Sequence, residues 1–407
     1  MQRGLLSDYF DGVAVKRLSA VEADPRRSHQ HEFQGGHLRP LLGDDDRLKI
    51  PARFIWLGDE QEGISEESVV SWYDSRRKQA HRSAEYRLYY YQNGVTELMS
   101  EGDTFFVAMR PDGTAMIIVT PRDSTIQSQL FYLFGLEEQP DLTFKVKAIP
   151  EDQSSRLDFA ARYILDELGI DAEEPEASQL DSILEPLGIT FPATADFSKL
   201  ARDSLSNVSA SDDADAVLMA WIEREELLFR RLERLVVAER LQTGFLTDKV
   251  PDVDGFISFS LSVQNRRKSR AGKSLEHHLA ALFSARKLQF ERGVETELRN
   301  KPDFLFPGKA AYLDPEFKAD KLTMLGSKST CKDRWRQVLS EAQRIPHKHL
   351  LTLEPGISEN QTDEMRAKKL QLVLPASLHA TYRQTQQSWL MNVEDFVNLV
   401  KTRQMPD

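Results

Sequence analysis

Apolar positions along this chain change their rhythm partway. From Tyr9 to about Lys147 they fall in short runs rich in β-branched and aromatic residues: Phe54-Ile55-Trp56-Leu57, Tyr86-Arg87-Leu88-Tyr89-Tyr90-Tyr91, Thr104-Phe105-Phe106-Val107-Ala108-Met109 and Ala115-Met116-Ile117-Ile118-Val119. Turn signals such as Asn93-Gly94 and Pro111-Asp112-Gly113 separate them, so residues 1–150 are expected to form a mostly β barrel or sandwich. Further on the spacing becomes helical. Leu218, Trp221, Ile222, Leu228, Leu232, Leu235 and Val236 predict a long helix over 214–241. Leu275, Leu279, Leu282 and Phe283 share one face of a second helix over 274–286, with Ser274 available as its N-cap. Candidate strands at 302–306 and 322–327, a helix from about 332 to 344, and strands at 349–353 and 370–374 complete an alternation that marks an α/β domain over 214–407.

Between these halves, charge changes the picture. The 407 residues carry a formal charge of −11, which taken whole argues against a nucleic-acid partner. Its distribution reverses that reading. Residues 151–190 hold 11 acidic and 2 basic side chains, leaving −2 for the remainder of the chain. With the soft stretch Ser204-Leu205-Ser206-Asn207-Val208-Ser209, this marks 151–213 as an acidic linker and connecting segment, or alternatively as a cover over a basic groove. Residues 261–290 carry seven Lys or Arg against the single Glu276. The lone Cys331 excludes an internal disulfide and a Cys-rich zinc site. No apolar run approaches the ~18 residues of a membrane helix, and Asp8 and Asp11 cut short any signal-peptide core, so no membrane association and a cytoplasmic location are expected.

One constellation in the second half suits phosphodiester hydrolysis. Lys301-Pro302-Asp303 puts a carboxylate at the head of the apolar run Phe304-Leu305-Phe306, and Lys328 closes another strand 25 residues later. A carboxylate can hold Mg²⁺, while a lysine beside it orients or deprotonates water and offsets charge developing on the phosphate. The usual second ligand, two residues before the lysine, would be Gly326, which has no ligating side chain. Glu341, on the helix expected after that strand, is the best replacement, and Glu276 could hold a metal-bound water. Lys332 and Arg334 could donate to guanine O6 and N7, and Asp333 could accept from cytosine N4. The bland readings are a turn carboxylate with a surface lysine, and an ordinary solvated helix start. Ala271-Gly272-Lys273-Ser274 lacks the first glycine of a phosphate-binding loop, and His277-His278 and His347-Lys348-His349 lack metal-ligand spacing. Cys331 has no His signature beside it and is expected to be a packing residue.

Three segments then carry a family likeness. Asn265-Arg266-Arg267-Lys268-Ser269-Arg270-Ala271-Gly272-Lys273-Ser274-Leu275-Glu276, Lys301-Pro302-Asp303-Phe304-Leu305-Phe306-Pro307 and Thr330-Cys331-Lys332-Asp333-Arg334-Trp335-Arg336-Gln337 resemble, in order, the catalytic domain of EcoRII-type restriction endonucleases. The likeness continues through Leu374-Pro375-Ala376-Ser377-Leu378-His379 and covers most of 264–382. It implies a PD-(D/E)XK core whose second acidic ligand has moved from the strand to the following helix. Asp303 and Glu341 are then the Mg²⁺ ligands, Lys328 the catalytic lysine, Glu276 a supporting acid and Tyr312 an active-site hydroxyl. Lys332, Asp333 and Arg334 become readers of C·G pairs, with Arg266, Arg267, Lys268 and Arg270 as further DNA-recognition residues. More faintly, Lys16-Arg17-Leu18-Ser19-Ala20, His29-Gln30 and Tyr73-Asp74-Ser75-Arg76 resemble the effector domain of the same family, a β pseudobarrel that binds a second DNA site. By position His29, Arg82, Glu85 and Arg87 fall among the effector contacts, while Ala80 and Tyr86 stand where lysines are expected.

The resemblance as a whole implies a multidomain type IIE restriction endonuclease that cuts double-stranded DNA at a short CC/GG-flanked, CCWGG-like site. Binding of a second site to the N-terminal domain would regulate it, and a cognate methyltransferase would act on the same site. A two-fold symmetric site suits a homodimer. Two alternatives remain: a defence-system nuclease whose N-terminal domain senses modified DNA or another signal, and a DNA-binding regulator with an inactive core. The joint presence of Asp303, Lys328 and Glu341 argues against the last.

Overall fold

The computed structural model describes residues 4–24, 31–58, 63–79, 81–136, 140–151, 157–172, 177–247, 250–331 and 334–405. The chain divides into two compact units, Met1–Glu173 with Pro355–Asn360, and Glu174–Glu354 with Gln361–Asp407.

The apolar runs of the first unit become the inner strands of an eight-stranded sheet. In chain order the strands are β1 (Gly12–Arg17), β2 (Glu32–Gln34), β3 (Arg47–Trp56), β4 (Ile64–Asp74), β5 (Tyr86–Tyr90), β6 (Thr104–Met109), β7 (Ala115–Thr120) and β8 (Lys145–Ala148). They pair in the order β2-β5-β4-β3-β7-β6-β1-β8, antiparallel throughout except for the parallel β3/β7 pair. Strands β6 and β7 are buried at every position, on both faces, and apolar at all but Thr104 and Thr120. Phe105, Val107, Ile117 and Val119 enter one core, while Phe106, Ala108, Met116 and Ile118 enter the other. In the first core the Phe33 ring of β2 lies 5.9 Å from Phe144, which precedes β8. Residues from opposite ends of the strand order thus meet, so the sheet curls around this core. The single turns α1 (Ala20–Ala23) and α2 (Arg39–Leu42) stand at its margin.

Helices α3 (Thr125–Phe134) and α4 (Phe159–Glu167) cover the second face through Leu130, Phe134, Ile164 and Leu165. Tyr132 Oη on α3 donates to Asp158 Oδ2 at 2.6 Å, and Asp158 also caps α4. The segment 151–213, read as connecting material, is therefore largely folded. Its first helix packs on the first unit, and α5 (Ala177–Leu184) and α6 (Thr194–Asp203) bury Leu180, Leu184, Phe197 and Ala201 in the second. Its acidity lies between apolar positions of helical spacing, which a count of charge alone conceals.

In the second unit α7 (Ala214–Thr243) matches the predicted long helix. The short ribbon β9 (Leu246–Thr247) and β10 (Val250–Pro251) leads into α8 (Val253–Ala285), a continuous helix of 33 residues capped by Asp252. Ser274, expected as an N-cap, is a buried mid-helix residue. The helix runs through the basic stretch because Arg267 and Arg270 reach carboxylates of α7, as described below. A five-stranded mixed sheet follows, in the order β11 (Glu291–Arg292), β12 (Phe304–Phe306), β13 (Thr323–Lys328), β14 (Lys348–Thr352), β15 (Leu370–Val373). The first three strands pair antiparallel and the last three parallel. Phe283 of α8, Phe304 and Phe306 of β12, and Phe396 of the terminal helix form its aromatic core. Short helices α9 (Lys309–Leu313), α10 (Trp335–Val338), α11 (Glu359–Ala367) and α12 (Gln384–Gln387) connect the strands, and α13 (Val393–Gln404) ends the chain. The helix expected over 332–344 is only the single turn α10. Past Val338 the bonds tighten to i→i−3, from Leu339 N–H to the Arg336 carbonyl through Glu341 N–H to the Val338 carbonyl, and Ala342, whose φ of 46° is left-handed, ends the turn just after Glu341. Among the described residues no helix is long and apolar enough to cross a membrane.

Candidate active site

Asp303 stands immediately before β12, and antiparallel pairing of β12 with β13 brings it beside the end of the neighbouring strand. Its Oδ2 accepts from the Ser327 backbone N–H at 2.7 Å and from Lys328 Nζ at 2.8 Å. The two side chains are about one-fifth exposed, so the pair is held by the sheet yet open to a ligand. Gly326 faces a different constraint. A Cβ there would lie 2.8 Å from Val338 Cγ2, so α10 occupies the space that a carboxylate at this strand position would need.

Glu341 supplies a carboxylate nearby, from a bend after α10 rather than from a helix. Burial, with the negative charge of Asp303, pushes its carboxyl up to about 7, and its buried Oε2 has no hydrogen-bond partner. Two hard oxygen donors, Asp303 with Lys328 already on one oxygen and Glu341 with a buried oxygen unbonded, thus stand close enough to repel one another. Among the described residues no group of three His, Cys, Asp or Glu side chains stands within metal-ligating reach.

The remaining expected residues are placed as follows. Glu276 on α8 accepts from Arg292 Nη2 at 2.7 Å, and Arg292 lies on β11 opposite Phe304. Its partner is therefore a residue adjoining the Asp303 strand. Tyr312 is buried, and its hydroxyl donates to Glu297 at 2.6 Å; burial and that carboxylate push it up to about 12. It is tied to the loop after Glu341 rather than paired with Asp303. Arg334 is exposed at the start of α10, whereas Lys332 and Asp333 lie outside the described residues. The Cys331 N–H, just before them, donates to the buried Glu354 carboxylate, whose backbone carbonyl accepts from Tyr382 Oη at 2.7 Å. Cys331 is a buried packing residue.

Two arginines of the basic stretch meet carboxylates of α7 and a third stacks on a ring before α6. Arg267 donates to Glu233 at 2.6 Å, Arg270 pairs with Glu226 and lies 3.6 Å from Glu225, and Arg266 stacks 4.5 Å over the Phe191 ring. Lys268 shares the helix, but its side chain lies outside the described residues. His278 is a buried core histidine 2.8 Å from Glu225. Arg292, Glu297 and Lys348 were not singled out by sequence. Their spacing carries no motif, since only the sheet and the 339–347 loop bring them near Glu276 and Glu341.

In the first unit Arg87 joins Glu85 and lies 3.7 Å from Glu32. Tyr73 Oη donates to Glu32 at 2.8 Å, and Arg76 also reaches Glu85. Arg82 is exposed and donates to Gln79 at 3.2 Å. His29 lies outside the described residues.

Residues 229–397 match the family model described as EcoRII C terminal. The type II restriction enzyme EcoRII of Escherichia coli is 40% identical over 230 residues, 56% of this chain and 55% of that protein. The chain thus spans about half the length of the curated relative that it matches. The resemblance read from the sequence is borne out over this part. Solved structures similar to the chain include metal-depleted Ecl18kI in complex with uncleaved, modified DNA, at 17% identity over 56% of this chain and 85% of that one, TM-score 0.45. A complex of the restriction endonuclease PspGI with substrate DNA is 13% identical over 56% of this chain and 93% of that one, TM-score 0.39.

Proposed function

We infer that the chain is a sequence-specific type II restriction endonuclease of the EcoRII kind, a Mg²⁺-dependent hydrolase of DNA phosphodiesters. The observation that carries this is the Asp303–Lys328 pair across β12 and β13, with the orphaned carboxylate of Glu341 raised by burial and by Asp303, inside the region similar to a restriction enzyme. The donor set suits a small hard cation: two carboxylates, one with a buried oxygen lacking any partner. Asp303 and Glu341 would hold the ion, which when bound supplies Lewis acidity at the scissile phosphate. The chain's own groups do the rest. Lys328, held by Asp303, places its ammonium where it orients the attacking water and offsets charge on the non-bridging oxygens. Glu276, fixed by Arg292, is a second acceptor for ordered water. Arg334, with Lys332 and Asp333, reads C·G base edges of a CC/GG-flanked site, and the Glu354 carboxylate steadies the preceding turn. The catalytic unit takes the PD-(D/E)XK form and works as a homodimer, each copy reading half of a symmetric site. The curled sheet of the first unit is a pseudobarrel that binds a second DNA site through Arg82, Glu85 and Arg87, with His29 a further contact by its place in the sequence. A methyltransferase of the same specificity protects the host DNA.

Incubation with plasmid DNA and Mg²⁺ tests the reading. Wild-type protein yields discrete fragments with a common end sequence, and Asp303→Asn or Lys328→Met lowers cutting by at least ~100-fold while DNA binding persists. Undamaged DNA across all sequences and methylation states would sink it.

A further inference from the structure

A metal ligand on a strand is held by the sheet ladder; Glu341 lies on a bend after α10, where its own N–H donates to the Val338 carbonyl at 3.2 Å but no strand ladder frames it. The backbone around it is nevertheless tied by side chains from several separate positions. Before Glu341, the Ser340 carbonyl accepts from Asn300 Nδ2 at 2.9 Å. After it, the carbonyls of Ala342 and Ile345 accept from Lys348 Nζ at 3.2 and 2.9 Å. Between those two, the Gln343 N–H donates to Glu297 at 3.3 Å and the Arg344 N–H to Tyr312 Oη at 3.2 Å. Lys348 is the central post. It is 7% exposed at the start of β14, where a charged ammonium has its ordinary cost of burial, and burial does lower its proton affinity while Glu297 and Glu341 oppose that effect. An ammonium buried to bond two carbonyls of one bend performs a task that a turn of helix would otherwise perform.

We propose that Lys348 is a positioning residue for Glu341: its ammonium, bonded to the carbonyls of Ala342 and Ile345, holds the bend so that the Glu341 carboxylate meets the divalent ion opposite Asp303. The Tyr312–Glu297 pair is the second post of the same clamp. Tyr312, whose hydroxyl proton is given to Glu297, thereby serves the loop and not the phosphate. This rests on the metal-dependent nuclease reading. It explains how a carboxylate displaced from the strand, where Val338 leaves no room at Gly326, keeps a fixed place.

The test measures metal affinity apart from turnover, in the full-length chain with bound DNA. Mn²⁺ uptake is followed by electron paramagnetic resonance, and the metal concentration for half-maximal cleavage is measured alongside. Lys348→Met keeps the stem and removes the donors. We expect Mn²⁺ to bind at least tenfold more weakly, the half-saturating metal concentration to rise in parallel, and excess metal to restore much of the cutting. A merely structural role would lower the melting temperature and the amount of active enzyme without moving that concentration. Should Lys348→Met not fold, Asn300→Ala and Tyr312→Phe remove outer posts, and each should shift Mn²⁺ binding severalfold in the same direction. Unchanged Mn²⁺ affinity in Lys348→Met, or in both outer variants if Lys348→Met cannot be made, overturns the proposal. If the wild type cuts and Glu341→Gln loses metal while Lys348→Met behaves as wild type, only the clamp fails. A wild-type chain that takes up no metal overturns the clamp and the nuclease reading together.

Discussion

Gly326 shows how one residue decides where a carboxylate can stand. An added methyl there would approach Val338 Cγ2 to 2.8 Å and Cγ1 to 3.1 Å, and valine has little rotamer freedom to withdraw. Gly326→Ala should therefore destabilise the second unit by about 1–3 kcal/mol, as overpacking does. Denaturant melts of Gly326→Ala, Val338→Ala and the double variant read the coupling: the double should be more stable than the summed single effects allow, and strict additivity would refute the clash. The same crowding puts the second acidic group on a bend, where it depends on side-chain ties. Asp303 and Lys328 were legible in the sequence because a strand's end is a local feature. Arg292 and Glu297 were not, because their partners Glu276, Tyr312 and Gln343 lie 15 to 46 residues away, and Lys348 was not, because its bonds to the Ala342 and Ile345 carbonyls depend on how the bend folds back.

Among the elements, α8 departs most from its sequence pattern. Periodicity marks only 274–286, where apolar residues face the sheet, yet the helix begins at Val253. Its earlier turns bury little and are bound instead by ion pairs to α7. Gly272 lies inside the helix with open space where a Cβ would stand. Gly272→Ala should therefore raise stability by about 0.5–1 kcal/mol, measured as an upward shift of the denaturant midpoint; a helix starting at Ser274 would show no gain. Arg270 is 11% exposed and serves Glu225, which is fully buried, and Glu226. Arg270→Met should cost roughly 2–3 kcal/mol in thermal or denaturant unfolding, because two carboxylates lose a shared cation and keep only His278 at Glu225 and Arg230 at Glu226. Loss of DNA affinity with unaltered stability would instead place this arginine at phosphate. The single turn α10 makes the converse point: an apolar stripe at 335, 338 and 339 predicted a longer helix, but past Val338 only i→i−3 bonds carry it to Glu341, and the left-handed Ala342 ends it there.

For the molecule as a whole, the net charge of −11 is a poor guide to partners, since basic and acidic side chains of α7 and α8 satisfy one another inside the second unit. Its pH response follows from burial. His349 on β14 is packed against Phe396, and burial, with Arg403 nearby, lowers its imidazole to about 4. The unfolded chain binds a proton near pH 6.5 that the folded chain refuses, so this contribution to stability is present above pH 6.5 and is lost as pH falls towards 4. By pH 5 the loss amounts to about 2 kcal/mol. Melting temperatures of the second unit between pH 7 and 5 should fall more steeply for wild type than for His349→Leu; equal slopes would exclude this histidine as the cause.

By itself the sequence determined the β character of the first 150 residues, the long helix α7, the strands flanking the site and the Asp303–Lys328 partnership. These depend on alternation, helical period and strand ends, which are short-range properties of the chain. Tertiary structure alone decided that the described part of 151–213 forms α4 in the first unit and α5 and α6 in the second, that α8 runs unbroken through the basic stretch, and that Arg267 and Arg270 face carboxylates. It also decided the seat of Glu341. A carboxylate on a bend acquires its position from Lys348 a few residues on and from Asn300, Glu297 and Tyr312, whose nearness is a consequence of packing and not of spacing.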